Sequence, residues 1–206
     1  MPLWGTSADA TTNKPKFCPA DANSPYDRTE VFASQAGWVV RGPATGIGNT
    51  GADPEILIAI GGLAGASAST GLHHPTMTKY TIVTKDDHGT SNNIVFEIAY
   101  DEALKYAAGS AATILLTAAA GDDVTATLTH MNGVALANTL EGNILRFTAT
   151  SAQADTYSLS NNRVMGDPDL VDAITGTAIE TNSKKFTSAR KTAIGYEAIV
   201  LSLIHI

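Results

Sequence analysis

The chain holds one cysteine in 206 residues, Cys18. That excludes an internal disulfide and any structural zinc site built on two or more thiolates. A catalytic thiol needs a nearby histidine and an electropositive setting. Cys18 instead lies between Phe17 and Pro19 in an irregular stretch and reads as a small apolar side chain. Charge is also scarce: Asp, Glu, Lys and Arg make up 16% of the residues, below the usual quarter, with Ser, Thr, Ala, Asn and Gly in their place. What charge there is sums to −7, so no basic field is available to draw nucleic acid, and anionic membranes are disfavoured. No apolar run approaches the ~18 residues of a transmembrane helix; the longest, EILIAIGGLAGASA, is broken by Gly61 and Gly62. The opening MPLWGTSADATTNKPKF lacks the basic and then apolar regions of a secretory signal, which leads to the expectation of a protein made in the cytoplasm.

What is present is alternation. Ile94, Phe96, Ile98 and Tyr100 fall on one side of a period-2 ribbon, and Val95, Glu97, Ala99 and Asp101 on the other. Such alternation marks a half-buried strand. Similar runs recur at 77–85, 93–101, 112–118, 123–130, 143–151 and 156–161, with turns at DDHGTSNN, AAGD, MNG and EGN, where Gly, Asn and Asp supply positive φ or local capping. Short strands in series predict a β-sandwich rather than parallel βαβ units. Upstream, residues 1–30 carry Pro2, Pro15, Pro19 and Pro25, which forbid a continuous helix, and read as an extended arm. Residues 31–63 form a small β-region, with strands in VFASQAGWVVR and EILIAIGGL, and 64–76 (AGASASTGLHHPT) read as a linker. The sandwich then occupies 77–203, with a short strand or helical turn in 167–179 and a closing strand in TAIGYEAIVLSL. The expected fold is therefore all-β: an immunoglobulin-like β-sandwich preceded by an extended N-terminal arm and a small β-region. The final LSLIHI, from Leu201 on, reads as an assembly scar and carries no weight.

Residue patterns for chemistry are weak. Gly46 and Gly48 lack the strand–helix context and third glycine of a dinucleotide fingerprint. His73 and His74, if on a strand, point to opposite faces, and DDHG around His88 is ordinary turn chemistry. Asp122, Asp123, Asp167 and Asp169 lack the glycine and distal glutamate of a calcium loop. No G-x-S-x-G elbow is present. The expectation is no catalytic residue, no cofactor and no metal. Association through surface remains, with Leu3, Trp4, Phe17, Phe32 and Trp38 as interface candidates, because aromatics concentrate binding energy in interface cores.

Two resemblances sharpen this. TKYTIVTKDDHGTSNNIVFEIAYDEALKY is similar to the immunoglobulin-like repeats of bacterial surface adhesins, matched at Ile94, Phe96, Ile98, Tyr100, Asp101, Glu102 and Ala103. The likeness continues through ATILLT, DDVTATL and NILRFTAT to LVDAITGTA, where Asp172, Ala173 and Gly176 match, and spans about 78–180. TYSLSNN stands where that family has a longer acidic turn. The amino-terminal part resembles small virion structural proteins of T4-like tailed phages of marine bacteria. It does so at Leu3, Trp4, Gly5, Lys14, Pro15, Lys16, Ala36, Gly37, Trp38, Val39, Arg41, Leu57, Ala59, Ile60, Gly61 and Gly62.

Together these resemblances imply a non-enzymatic structural protein of a tailed-phage virion, with capsid decoration or cement as the first reading. A neck, tail or fibre-associated protein is the alternative, and a bacterial surface adhesin or carbohydrate-binding module the second. The implied partners are other virion proteins and further copies of the chain, with a host-surface glycan as an additional one, and neither nucleic acid nor membrane. The implied location is the virion.

Overall fold

A computed structural model of the chain describes residues 10–15, 28–41, 52–65, 72–84, 93–151, 154–166 and 169–201. Strand accounts for 48% and helix for 8%, which makes the fold all-β and sandwich-like, built on one large curled sheet. After a 3₁₀ turn at Arg28–Glu30, β1 (Val31–Ser34), β2 (Gly37–Val40) and β3 (Glu55–Ala59) form a meander. Then come β4 (Met77–Ile82), β5 (Asn93–Tyr106), β6 (Thr113–Ala118), β7 (Val124–Met131), β8 (Val134–Ala135) and β9 (Glu141–Thr150). The chain closes with β10 (Thr156–Ser158), β11 (Arg163–Val164), β12 (Leu170–Asp172), α1 (Thr181–Lys184), β13 (Lys185–Phe186), α2 (Ser188–Ala193) and β14 (Ile199–Val200). The bonded path runs β14-β10-β6-β7-β9-β5-β1-β2-β3, with β4 and β12 also on β5 and β8 on β7; β11 and β13 make a separate ribbon.

The alternation in β5 has its physical origin in a one-sided core. Ile94, Phe96, Ile98 and Tyr100 are wholly buried, as are Leu145 and Phe147 of β9 and Ile114 and Leu116 of β6. Phe96 stands directly opposite Phe147 in the register, their rings stacked at 5.5 Å. Tyr80 stacks on Phe96 at 5.3 Å and meets Tyr196 edge-on at 5.0 Å. Each such side chain contributes about 1.5–3 kcal/mol by burial. The carboxyl-terminal segment covers the same core with Leu170, Phe186, Ile194 and Ile199. A separate core of Val31, Ala33, Trp38, Val40, Leu63, Ala64 and Leu72 holds the β1–β2–β3 unit.

Several local features differ from the sequence reading. β5 continues five residues past the expected end at Asp101, to Tyr106. The closing strand expected in 192–203 is replaced by the end of α2, a turn at Ile194–Gly195 and only Ile199–Val200 as strand. Gly195 takes φ +70°, a conformation incompatible with a continuous strand. α2 begins because the Thr187 side chain accepts the Arg190 N–H at 3.1 Å, a helix N-cap. Within the stretch read as a linker, Ala64, Leu72, His74 and Thr76 are buried, and the Leu72 N–H bonds the carbonyl of the preceding region's Leu63 at 3.0 Å.

Candidate functional site

Two places stand out: the join between the β1–β2–β3 unit and β5, and the β3 end of the sheet. The first is a large bulge in the central strand. Ala99 pairs with Ile144 and Leu104 with Gly142, so Tyr100–Ala103 face Asn143 alone. The strand balloons out there because other segments take over its backbone and side chains. The Asp101 N–H bonds the Thr76 carbonyl at 3.0 Å, and β1 pairs in parallel with Glu102 through Ala33. Asn143 fills the gap, donating from Nδ2 to the carbonyls of Thr29 (2.8 Å) and Tyr100 (3.3 Å). It is positioned by Asn132, in the Asn132–Gly133 turn between β7 and β8, whose Oδ1 accepts the N–H groups of Asn143 (2.8 Å) and Ile144 (3.0 Å).

Two consecutive acids occupy this bulge, each fully buried. Asp101 is satisfied: Oδ2 accepts from Asn13 Nδ2 at 2.7 Å and Oδ1 from the Thr76 N–H at 2.6 Å. Burial still pushes its carboxyl up to about 7, opposed by those hydrogen bonds and by the charge of Lys14. Lys14 is itself buried, with Nζ on the Thr29 carbonyl at 2.7 Å. Glu102 is different, since neither carboxyl oxygen has a hydrogen-bond partner among the described residues. Burial, then the neighbouring Asp101 and Asp172, raise it to about 9; the Gly65 N–H tempers the rise without forming a well-aligned bond. At neutral pH Glu102 is an uncharged carboxylic acid, the form in which a buried carboxyl costs least. The sequence had flagged Asp101, Glu102, Ala103, Asp172 and Ala173 only as family matches. The fold brings the two stretches together, with the Ala173 N–H on the Ala103 carbonyl at 3.2 Å.

Beside the join lies a cleft of about 270 Å³ lined by Glu30, Arg41, Glu97, Asn132, Ile144 and Arg146, among others. Arg146 and Glu97 pair with each other, and Arg41 is held from outside the lining. Arg146 places Nε (2.8 Å) and Nη2 (2.7 Å) on Glu97 Oε1. The Arg41 guanidinium lies 5.1 Å over the Phe32 ring and donates Nη2 to the Glu141 carbonyl at 3.1 Å. Burial lowers the Arg41 pKa, opposed by the Glu141 carboxylate. Neither Asp101 nor Glu102 lines this cleft, so the raised acids are not aimed at a bound substrate there.

The second place is the sheet edge. β3 is one end of the bonded path and β14 the other. β3 reads EILIA, and Ile56 is 52% exposed on it. Gly37 fixes how β3 lies on β2: it takes φ +135°, and a Cβ there would collide with the backbone of Ile58 and Ile60. Among the described residues no strand pairs the outer side of β3, and unpaired backbone beside apolar side chains is a template for another strand.

Of the interface candidates, Trp38 is wholly buried in the core of the β1–β2–β3 unit, and Phe32 is 5% exposed beneath Arg41 with Val39 and Ala103. Both rings are thus covered by this chain's own residues. Leu3, Trp4 and Phe17 lie outside the described residues, as do Cys18, Gly46, Gly48, His88 and Asp167. His73 and His74 sit in an irregular segment rather than a strand, so their rings meet at 4.7 Å instead of pointing apart. His74 Nδ1 is 3.1 Å from Ser183 Oγ. Asp123 accepts the Ala118 N–H (3.0 Å) and Asp169 the Ser110 N–H (2.5 Å), both as turn acceptors. Among the described residues no three His, Cys, Asp or Glu side chains converge as a metal site would need.

No protein-family model matches the chain, and neither a curated protein nor a solved structure does.

Proposed function

We propose that the protein works by association, as a non-enzymatic structural component of a tailed-phage virion whose immunoglobulin-like sandwich is carried on a shell-binding amino-terminal part. Capsid decoration or cement is the favoured seat. The observation that carries the associative reading is the β3 end of the sheet, where an apolar strand has no outer partner among the described residues and carries a half-exposed Ile56. Strand addition to such an edge supplies main-chain hydrogen bonds for affinity and side-chain contacts for specificity. Leu57 and Ala59 of that strand, with Ile60 just after it, are among the positions that resemble phage virion proteins. The partner is then a strand of a shell protein, with further copies of the chain beside it.

Quantitative mass spectrometry of purified particles tests this. Decoration of a symmetric shell predicts on the order of hundreds of copies per particle, whereas a neck or tail ring predicts a few dozen or fewer. Absence from particles, together with aromatic-dependent binding on a glycan array, would replace the virion reading with a surface adhesin or carbohydrate-binding module.

A further inference from the structure

We propose that the Tyr100–Ala103 bulge is an alkali-sensitive latch: an uncharged Glu102 keeps the β1–β2–β3 unit docked on β5, and ionisation of that side chain releases the unit while the β5–β9–β7–β6 ladder persists. This inference does not depend on the virion reading.

The geometry puts Glu102 at a thin joint. The described strand pairing between the unit and β5 is the single parallel bridge Ala33–Glu102, whereas β5 and β9 share a register from Asn93–Thr150 to Lys105–Glu141. Around that bridge, among the described residues, Phe32 and Val39 pack against Ala103 and Ala173, and Gly65 lies against Ile174. Two side-chain donors add to it, Asn143 on the Thr29 carbonyl and Arg41 on the Glu141 carbonyl. The Glu102 side chain is buried in this joint, with neither carboxyl oxygen hydrogen-bonded among the described residues.

Among the described residues, the charges that act on it disfavour an anion. Asp101 faces it from its own strand and Asp172 from β12. β1 (VFAS) and β2 (GWVV) contribute no titratable side chain. The nearby cations are spent elsewhere: Lys14 on the Thr29 carbonyl and beside Asp101, Arg41 over Phe32, and Lys105 3.5 Å from Glu141. Among the described residues, the Gly65 N–H favours the charged form.

The direction follows from linkage. A carboxyl raised in the docked state is protonated there and ionised once released, over the interval between its ordinary value of 4.5 and about 9. Across that interval release takes up no proton and gives off one, so the released fraction grows as pH rises, by up to about tenfold per pH unit. Above the upper limit the dependence flattens.

The test uses the full chain with Trp4→Phe, which leaves Trp38 as its one tryptophan. Acrylamide quenching of Trp38 is followed from pH 5 to pH 10 alongside the far-ultraviolet β signal. Trp38 lies in the unit's own small core, and a unit of this size released from β5 does not hold such a core closed. The latch therefore predicts that quenching rises at least tenfold toward alkaline pH while the β signal persists, and that Glu102→Gln keeps Trp38 shielded throughout. Asp172→Asn, which removes one opposing charge and keeps an acceptor for the Ile174 and Thr175 N–H groups, should give a smaller rise; it carries the test if Glu102→Gln does not fold. Shielding that is independent of pH, variants that follow the parent chain, or simultaneous loss of Trp38 shielding and the β signal would each overturn the latch.

Discussion

The two ends of this molecule are stabilised in different ways. The β5–β9–β7–β6 body is a long antiparallel ladder over a continuous core, with Phe96, Phe147, Tyr80 and Tyr196 in mutual ring contact. The β1–β2–β3 unit has its own small core around Trp38 and, among the described residues, meets the body through one parallel bridge, the small apolar cluster of Phe32, Val39, Ala103 and Ala173, and a handful of polar contacts. A region held by few buried contacts opens at lower free energy than the body that carries it. The β3 end of the sheet lies on the less firmly held region.

The largest expected effect is in the body. Phe147→Ala removes a fully buried ring from the stack and should cost about 3–5 kcal/mol, moving the urea midpoint of the whole chain. Trp38→Ala removes the centre of the smaller core. Its loss, of similar gross size, should appear as accelerated amide exchange in residues 31–40 with β9 protection retained. Equal loss in both regions would show that the two cores melt as one.

The pH response comes next. Asp101 and Glu102 are both raised in the fold, to about 7 and about 9. Each therefore contributes stability that is full below its ordinary pKa and is lost as pH climbs through the raised one. Thermal stability should decline from about pH 5 to pH 9, by several kcal/mol in all, and Glu102→Gln should remove much of the decline. Asp155 acts in the opposite sense: the N–H groups of Gly121, Ala120 and Thr156 hold its pKa low, so its contribution is present above its ordinary pKa and fades in acid.

Smaller again is Asp101→Ala at pH 5.5, which leaves the Asn13 amide and the Thr76 N–H without acceptors and should cost about 1–3 kcal/mol. Faster exchange of the Thr76 amide is the readout. The smallest effect on stability is Ile56→Lys, within about 0.5 kcal/mol, because the side chain is exposed.

Strand identity was legible because one-sided burial writes period-2 alternation into the chain, as in Ile94, Phe96, Ile98 and Tyr100. The length of β5 was not legible. Asp101 and Glu102 look like a solvated strand end, and polarity alone cannot reveal that Asn13 and Thr76 satisfy one acid while burial neutralises the other. An Asp-Glu pair inside the apolar run AYDEAL was the available signal. The Thr187 cap of α2 was also readable, in TSARK, but an isolated six-residue helix leaves little periodicity to find. The convergence of Glu102 with Asp172 depends on pairing across 70 residues, which no local pattern encodes.

The associative claim is tested most directly by rebinding. Purified wild-type protein and Ile56→Lys would be added to particles stripped of the chain, and bound protein measured at matched concentrations. Association through the β3 edge predicts that Ile56→Lys melts like wild type yet binds at least tenfold more weakly. Equal occupancy by the two proteins would contradict it.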